Sequence, residues 1–204
     1  MLDTLVERYR WAEQDGLVAL TITVVAGRTE DEVVRAFGGG GQAARRLMTF
    51  RQIGDMLALP EAGSLHPMLI VSTGTCVVTI ENTGYHGSIP EIARRASAGG
   101  GRFFSAYWDM HGDHQVMYAE DGDVRVVFDP VDTRRIPAGA AVPLPRWAEG
   151  VRPDTEAPGA SCLALMERVM RVRIDRDWMV KPLSAVILPD PATMFDDPEA
   201  AWLP

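Results

Sequence analysis

Lysine is almost missing from this chain: Lys181 is the only one in 204 residues, and arginine supplies every other cation. Acidic side chains outnumber basic ones, 28 to 20, for a formal net charge of -8. Phosphate-backbone binding needs clustered Lys and Arg, so nucleic acid is not an expected partner. Cysteine is scarce too. Cys76 and Cys162 match no metal or redox spacing and stand in apolar runs, so both read as buried free thiols. No stretch approaches the ~18–20 consecutive apolar residues of a membrane span. Acids interrupt the N-terminal stretch MLDTLVERYRWAEQDG, which rules it out as a secretory signal. A cytoplasmic protein without a membrane partner is the expectation. There is no internal repeat.

What the chain does have is concentrated in residues 101–130, GRFFSAYWDMHGDHQVMYAEDGDVRVVFDP. Three apolar runs separated by two polar connections read as an antiparallel meander. Phe103, Ser105 and Tyr107 alternate with Phe104, Ala106 and Trp108 across it. The second connection carries Asp121-Gly122, a pair that tolerates the positive φ angles of a tight hairpin. The first carries Asp109, His111, Asp113 and His114, the densest set of potential ligands in the chain.

The remaining elements follow from periodicity and punctuation. Apolar residues Leu5, Val6, Tyr9 and Ala12 recur at helical steps, in a helix running to Asp15-Gly16. Residues 17–25, LVALTITVV, are β-branched and apolar and read as a well-covered strand. Thr29 and Glu32 have capping-box spacing, with Val33, Val34 and Phe37 as the buried face of the helix they start. The glycines at 38–41 follow that helix, and no Gly-Lys-Ser/Thr comes after them, so they are a linker and not a phosphate loop. Ile53, Met56 and Leu57 suggest a short helix before Pro60, and residues 68–72 and 75–81 form two strands around Thr73-Gly74. Ser88 and Glu91 give a second capping box, and a helix runs on to Gly99. A further helix spans 160–170, and Asp175 starts a short one.

Together these predict an α+β fold, a mainly antiparallel sheet of about five or six strands with helices packed on one face. Residues 1–188 form one domain, with an irregular excursion at 131–158 anchored by Trp147. Residues 189–204 form an acidic, proline-rich tail, flexible or docked.

Several segments in order resemble an uncharacterised actinomycete family, a domain of unknown function. They are Trp11 followed by LVALTITVV, then GRTEDEVVRAFG, TCVVTIENTGYHGSIPEIARRAS, FFSAYWDMHGDHQVMYAEDGDVRVVFDP and LALMERVMRVRIDRDWM. The resemblance covers residues 11–180 and implies a single α+β domain with no assigned activity. In that family the first meander connection reads as a Trp-Asn-Val-Asn-like turn, so the resemblance assigns no role to the acid–histidine cluster.

Three functions compete. Asp109-Met110-His111-Gly112-Asp113-His114 is close to the His-x-His-x-Asp-His motif of metallo-β-lactamase-type hydrolases, with Asp in place of the first His. Metal catalysis needs these donors to converge on one ion, helped by His66 or His86. No other cofactor signature is present. Gly159-Ala160-Ser161-Cys162-Leu163 lacks the glycine a nucleophile elbow needs after its serine. The leading expectation is therefore a non-enzymatic, protein-binding module of the immunity or antitoxin kind, recognising its partner through Tyr107, Trp108, Asp109, His111, Asp113 and His114. A small-ligand-binding accessory protein, with 131–158 as a lid, is the third reading.

Overall fold

The computed structural model describes residues 2–13, 17, 19–40, 43–63, 65–131, 147 and 156–194. In chain order these give α1 (Leu2–Arg8), β1 (Leu20–Ala26), α2 (Glu30–Ala36), β2 (Arg46–Met48), α3 (Phe50–Leu57), β3 (His66–Thr73), β4 (Cys76–Asn82) and α4 (Pro90–Ser97). The meander follows as β5 (Arg102–Trp108), β6 (His114–Glu120) and β7 (Asp123–Phe128), and then come α5 (Pro158–Met170) and β8 (Leu183–Leu188).

All eight strands join one antiparallel sheet in the order β2-β8-β3-β4-β1-β5-β6-β7. The expected five or six strands undercount it. β2 is only three residues long, and β8 pairs with β3 from more than a hundred residues away, so neither carries a local signal. The helices also lie on both faces, and not on one. α1, α3 and α5 share a core with Leu20, Ile22, Val24, Val78, Ile80, Phe104 and Trp108. α2 and α4 cover the other face over Val25, Met68, Ile70, Val77, Phe103 and Met117. The cause lies in the central strand: every residue of β1 is buried, so each of its faces needs its own covering layer.

The ends of the elements are set by named side chains. Thr29 and Glu32 close the capping box of α2, and Thr49 and Gln52 close a second one on α3. The box expected at Ser88 and Glu91 does not form. Ser88 Oγ donates instead to the Tyr85 carbonyl at 2.7 Å, Glu91 pairs with Arg94 and Arg95, and α4 starts at Ile89 on its N1 proline. α1 is shorter than expected, giving way after Arg8 to the 3₁₀ turn Arg10–Glu13. Its neighbour Tyr9 is fully buried: its hydroxyl bonds the Glu167 carboxylate and accepts from the Ile174 amide at 3.1 Å, fastening the N-terminus to α5. Glu13 accepts from the Ala160 amide at 2.7 Å and so supplies the N-terminal cap of α5. Burial pushes the Cys162 thiol well above its ordinary value, in keeping with a packing role for this free cysteine.

The meander aromatics other than the half-buried Tyr107 are core. Trp108 is 5% exposed and donates to the Leu17 carbonyl at 3.0 Å. Trp147 packs its ring, tilted or edge-on, among Phe104, Tyr118 and Phe128. The rest of the 131–158 excursion, apart from 131 and 156–158, lies outside the described residues, as do residues 195–204 of the tail. No helix among the described residues is long and apolar enough to cross a membrane.

Candidate functional site

The β5–β6 turn is a self-contained structure built on Asp109. One carboxylate oxygen accepts from the amides of His111 (2.8 Å) and Asp113 (3.1 Å). The other accepts from the Tyr107 hydroxyl (3.1 Å) and faces His111 Nδ1 (3.2 Å). Burial works to raise the Asp109 pKa, but these bonds outweigh it and hold the carboxyl below its usual range. The Tyr107 hydroxyl is pushed up to about 12 by burial and by its bond to Asp109. His114 Nδ1 turns to the Gly112 carbonyl at 2.9 Å, and the His111 side chain is 76% exposed. The four donors therefore close a turn and do not surround a common point. Among the described residues no group of three or more His, Cys, Asp or Glu side chains could hold a metal ion. Of the expected binding residues, Trp108 belongs to the core, while Asp109, His111, Asp113 and His114 stay together at the tip.

A second polar centre sits on the opposite side of β1, under the α2/α4 layer. Strand pairing places Thr79, Thr23 and Ser105 in one row across β4, β1 and β5, and Glu81, Thr21 and Tyr107 in the next. The first five of these residues named here, Thr79, Thr23, Ser105, Glu81 and Thr21, are at most 1% exposed. After β4 the chain wraps the Glu81 carboxylate, which accepts from the amides of His86 (2.8 Å) and Gly87 (2.9 Å). Two charge-assisted bonds from backbone donors are what makes a buried carboxylate tolerable here. Thr21 Oγ1 donates to the Gly84 carbonyl at 2.6 Å, and Gln115 Nε2 donates to the Ser88 carbonyl at 3.1 Å, pinning both ends of the wrap.

Gly87 is required by space. A Cβ there would lie 2.2 Å from Thr23 Oγ1 and 2.8 Å from Thr21 Cγ2. The His86 ring, 1% exposed, reaches the Pro189 carbonyl with Nε2 at 3.1 Å. Its Nδ1 lies 3.3 Å from Glu81 Oε2, close enough for charge pairing but without hydrogen-bond geometry.

His66, from the start of β3, stands edge-on to His86 with ring centroids 5.2 Å apart. Burial, and then the neighbouring His86, lower its pKa. Its Nε2 is shielded from solvent and has no partner. His66 lines a cleft of about 240 Å³. Leu57, Ala62, Leu65 and Pro67 give it apolar lining, and Glu81, Asn82, Thr83, Gly84 and Tyr85 line it too. That volume falls below the ~300–1,000 Å³ of pockets for drug-sized ligands, so the cleft suits something smaller.

A model of a family of unknown function, DUF6461, matches residues 3–182. The chain belongs to that family. No curated protein and no solved structure matches it. For this DUF6461 member the site must therefore be read from its own geometry. Sequence reasoning named His66 and His86 as helpers for the β5–β6 turn, and His86 also beside Cys76, whereas the structure joins the two histidines to each other and to Glu81. The missed signal was Glu81 itself. It shares strand parity with Val77 and Thr79, so a charged residue falls on a covered face, which needs dedicated partners.

Proposed function

We propose that this protein is a non-catalytic binding protein that holds a small polar ligand in the cleft between His66 and Tyr85. The carrying observation is the cleft itself, lined by His66, a residue whose Nε2 has no partner. An unmet buried polar group costs ~1–3 kcal/mol, and a ligand group bonded to it recovers that cost. Binding is favoured over catalysis because His86 spends its outer nitrogen on the Pro189 carbonyl and not on a nucleophile. In this reading the protein works in the cytoplasm, where its two free cysteines stay reduced.

The test is a fragment library screened by thermal shift against the wild type and His66→Ala. A ligand at a hundred times its Kd adds ~2.7 kcal/mol of stability, a rise of several degrees for a domain of this size. Hits that raise the melting temperature of both proteins equally count against the cleft.

A second reading, recognition of another protein by the β5–β6 turn, is supported by the pre-organisation that Asp109 gives it. Met110, 73% exposed, and His111 stand at the tip. Pull-down from the native host with Met110 and His111 changed to alanine tests it. An unchanged partner list excludes the turn as the contact.

A further inference from the structure

The end of α5 and the segment after it carry positive charge that the molecule leaves unmatched. Residues 167–181 hold Arg168, Arg171, Arg173, Arg176 and Lys181 against Glu167, Asp175 and Asp177, in a chain where acids outnumber bases 28 to 20. Each of the three acids already has a partner. Glu167 takes Arg8 from α1 and the Tyr9 hydroxyl. Asp177 accepts from Lys181 Nζ at 2.6 Å, and Asp175 accepts from the Asp177 amide at 3.0 Å. Arg168, Arg171 and Arg173 are exposed, and among the described residues no acid or acceptor meets their guanidinium groups.

Local structure gathers these three. Arg168 and Arg171 are about one helical turn apart, in the last turn and at the C-cap of α5. Beyond them exposure alternates: Arg171 and Arg173 are exposed, while Val172 and Ile174 are buried. The negative end of α5 accounts for a cation in its last turn. It accounts neither for Arg173 nor for the backbone of Arg171, whose φ is +61°. A helix end ordinarily places glycine in that left-handed conformation, because a side chain there is strained. An arginine held in it without an internal partner points to a use outside the molecule.

We propose that Arg168, Arg171 and Arg173 form a docking surface for an acidic segment of a partner protein, their guanidinium forks taking its carboxylates. The charge of the remaining chain favours such a segment over nucleic acid or an anionic membrane. A formal net charge of -8 repels an extended polyanion, whereas a short acidic peptide lies within a Debye length, ~8 Å, of the arginines and feels mainly them. None of the three lines the His66 cleft, so this surface is independent of that ligand site.

Fluorescence anisotropy of a labelled hexaglutamate peptide, titrated with the full chain at low ionic strength, tests this. Hexaglutamine is the uncharged control. The expected result is saturable binding of hexaglutamate alone, weakened as added salt shortens the Debye length. Arg171→Gly and Arg173→Gln should each weaken it about two- to fivefold, and the two combined with Arg168→Gln about tenfold or more. Glycine takes the left-handed backbone without strain, so Arg171→Gly holds or raises the melting temperature and its loss of binding is not a loss of fold. No binding of hexaglutamate, equal binding of hexaglutamine, or undiminished binding by the triple variant overturns the proposal. Tighter binding of phosphatidylserine vesicles or of a single-stranded oligonucleotide, abolished in the same variant, overturns the choice of an acidic peptide.

Discussion

Replacing Gly87 by alanine adds one methyl group to the point where the 83–88 wrap lies on the sheet. The added carbon meets Thr23 Oγ1 at 2.2 Å, Thr21 Cγ2 at 2.8 Å and Glu81 Oε1 at 3.2 Å. The two nearest atoms belong to short threonine side chains of the central strand with no exposure, so they cannot swing away. Gly87 is not among the positive-φ glycines, so the penalty is contact and not backbone conformation. Overpacking a core of this kind costs ~1–3 kcal/mol. The wrap can relieve the contact only by lifting, and lifting stretches the Gly87 and His86 amide bonds to Glu81. A hydrogen bond to a charged group contributes ~1.5–3 kcal/mol. Losing one of the two brings the total to ~2.5–6 kcal/mol, a fall of about 10 °C in melting temperature.

Urea denaturation measures it, with Gly63→Ala as the control, because a Cβ at Gly63 meets nothing within 4 Å. Thr23→Ala removes the nearest clashing atom, a hydroxyl that has no partner in the folded protein. In the Gly87→Ala background it should therefore return more than ~1 kcal/mol, a non-additivity that a double-mutant cycle isolates. A Gly87→Ala loss within ~1 kcal/mol of the Gly63 control, or strict additivity with Thr23→Ala, would refute the steric account.

Asp109→Asn should remove stability near neutral pH, and the difference from wild type should shrink on the acid side. The folded carboxyl titrates below its unfolded value, so its contribution is complete above the usual carboxylate range and is lost as pH falls through the lower folded pKa. Comparing urea midpoints of wild type and Asn variant from mildly acidic pH downward checks this, and parallel curves would contradict it. His66 is depressed too, so its stabilising effect is full above the unfolded histidine pKa of ~6.5 and declines as pH drops through the lower folded value. His66→Gln should flatten that part of the stability profile. Cys76 and Cys162 should resist thiol reagents until the chain unfolds, with labelling tracking the urea transition; fast native labelling would disprove their burial.

Much of the sheet is legible wherever the signal is local. The 101–130 meander and the hairpin at Thr73-Gly74 are each announced by a turn between two alternating runs, and both fold as expected. LVALTITVV announces a strand covered on both sides, yet its two threonines hide that the second face is partly polar. β8 escapes notice because LSAVIL is short and finds its partners far away in the chain. The acid–histidine cluster stands out in composition, but composition cannot show that Asp109 satisfies its acceptors within its own turn. The His66–His86–Glu81 centre was within reach. A hairpin about Thr73-Gly74 folds the end of β4 back beside the start of β3, and the wrap after Glu81 then brings His86 to His66.

The position of β8 has a consequence for how the chain is made. It slots between β2 and β3, although its residues follow theirs by more than a hundred positions in the chain. Until they emerge, β3 presents an open edge, and Met68 and Ile70 lack the Val186 and Leu188 side chains that share their cluster. A nearly complete platform thus waits for one distant slat, so the sheet closes only when that late segment docks.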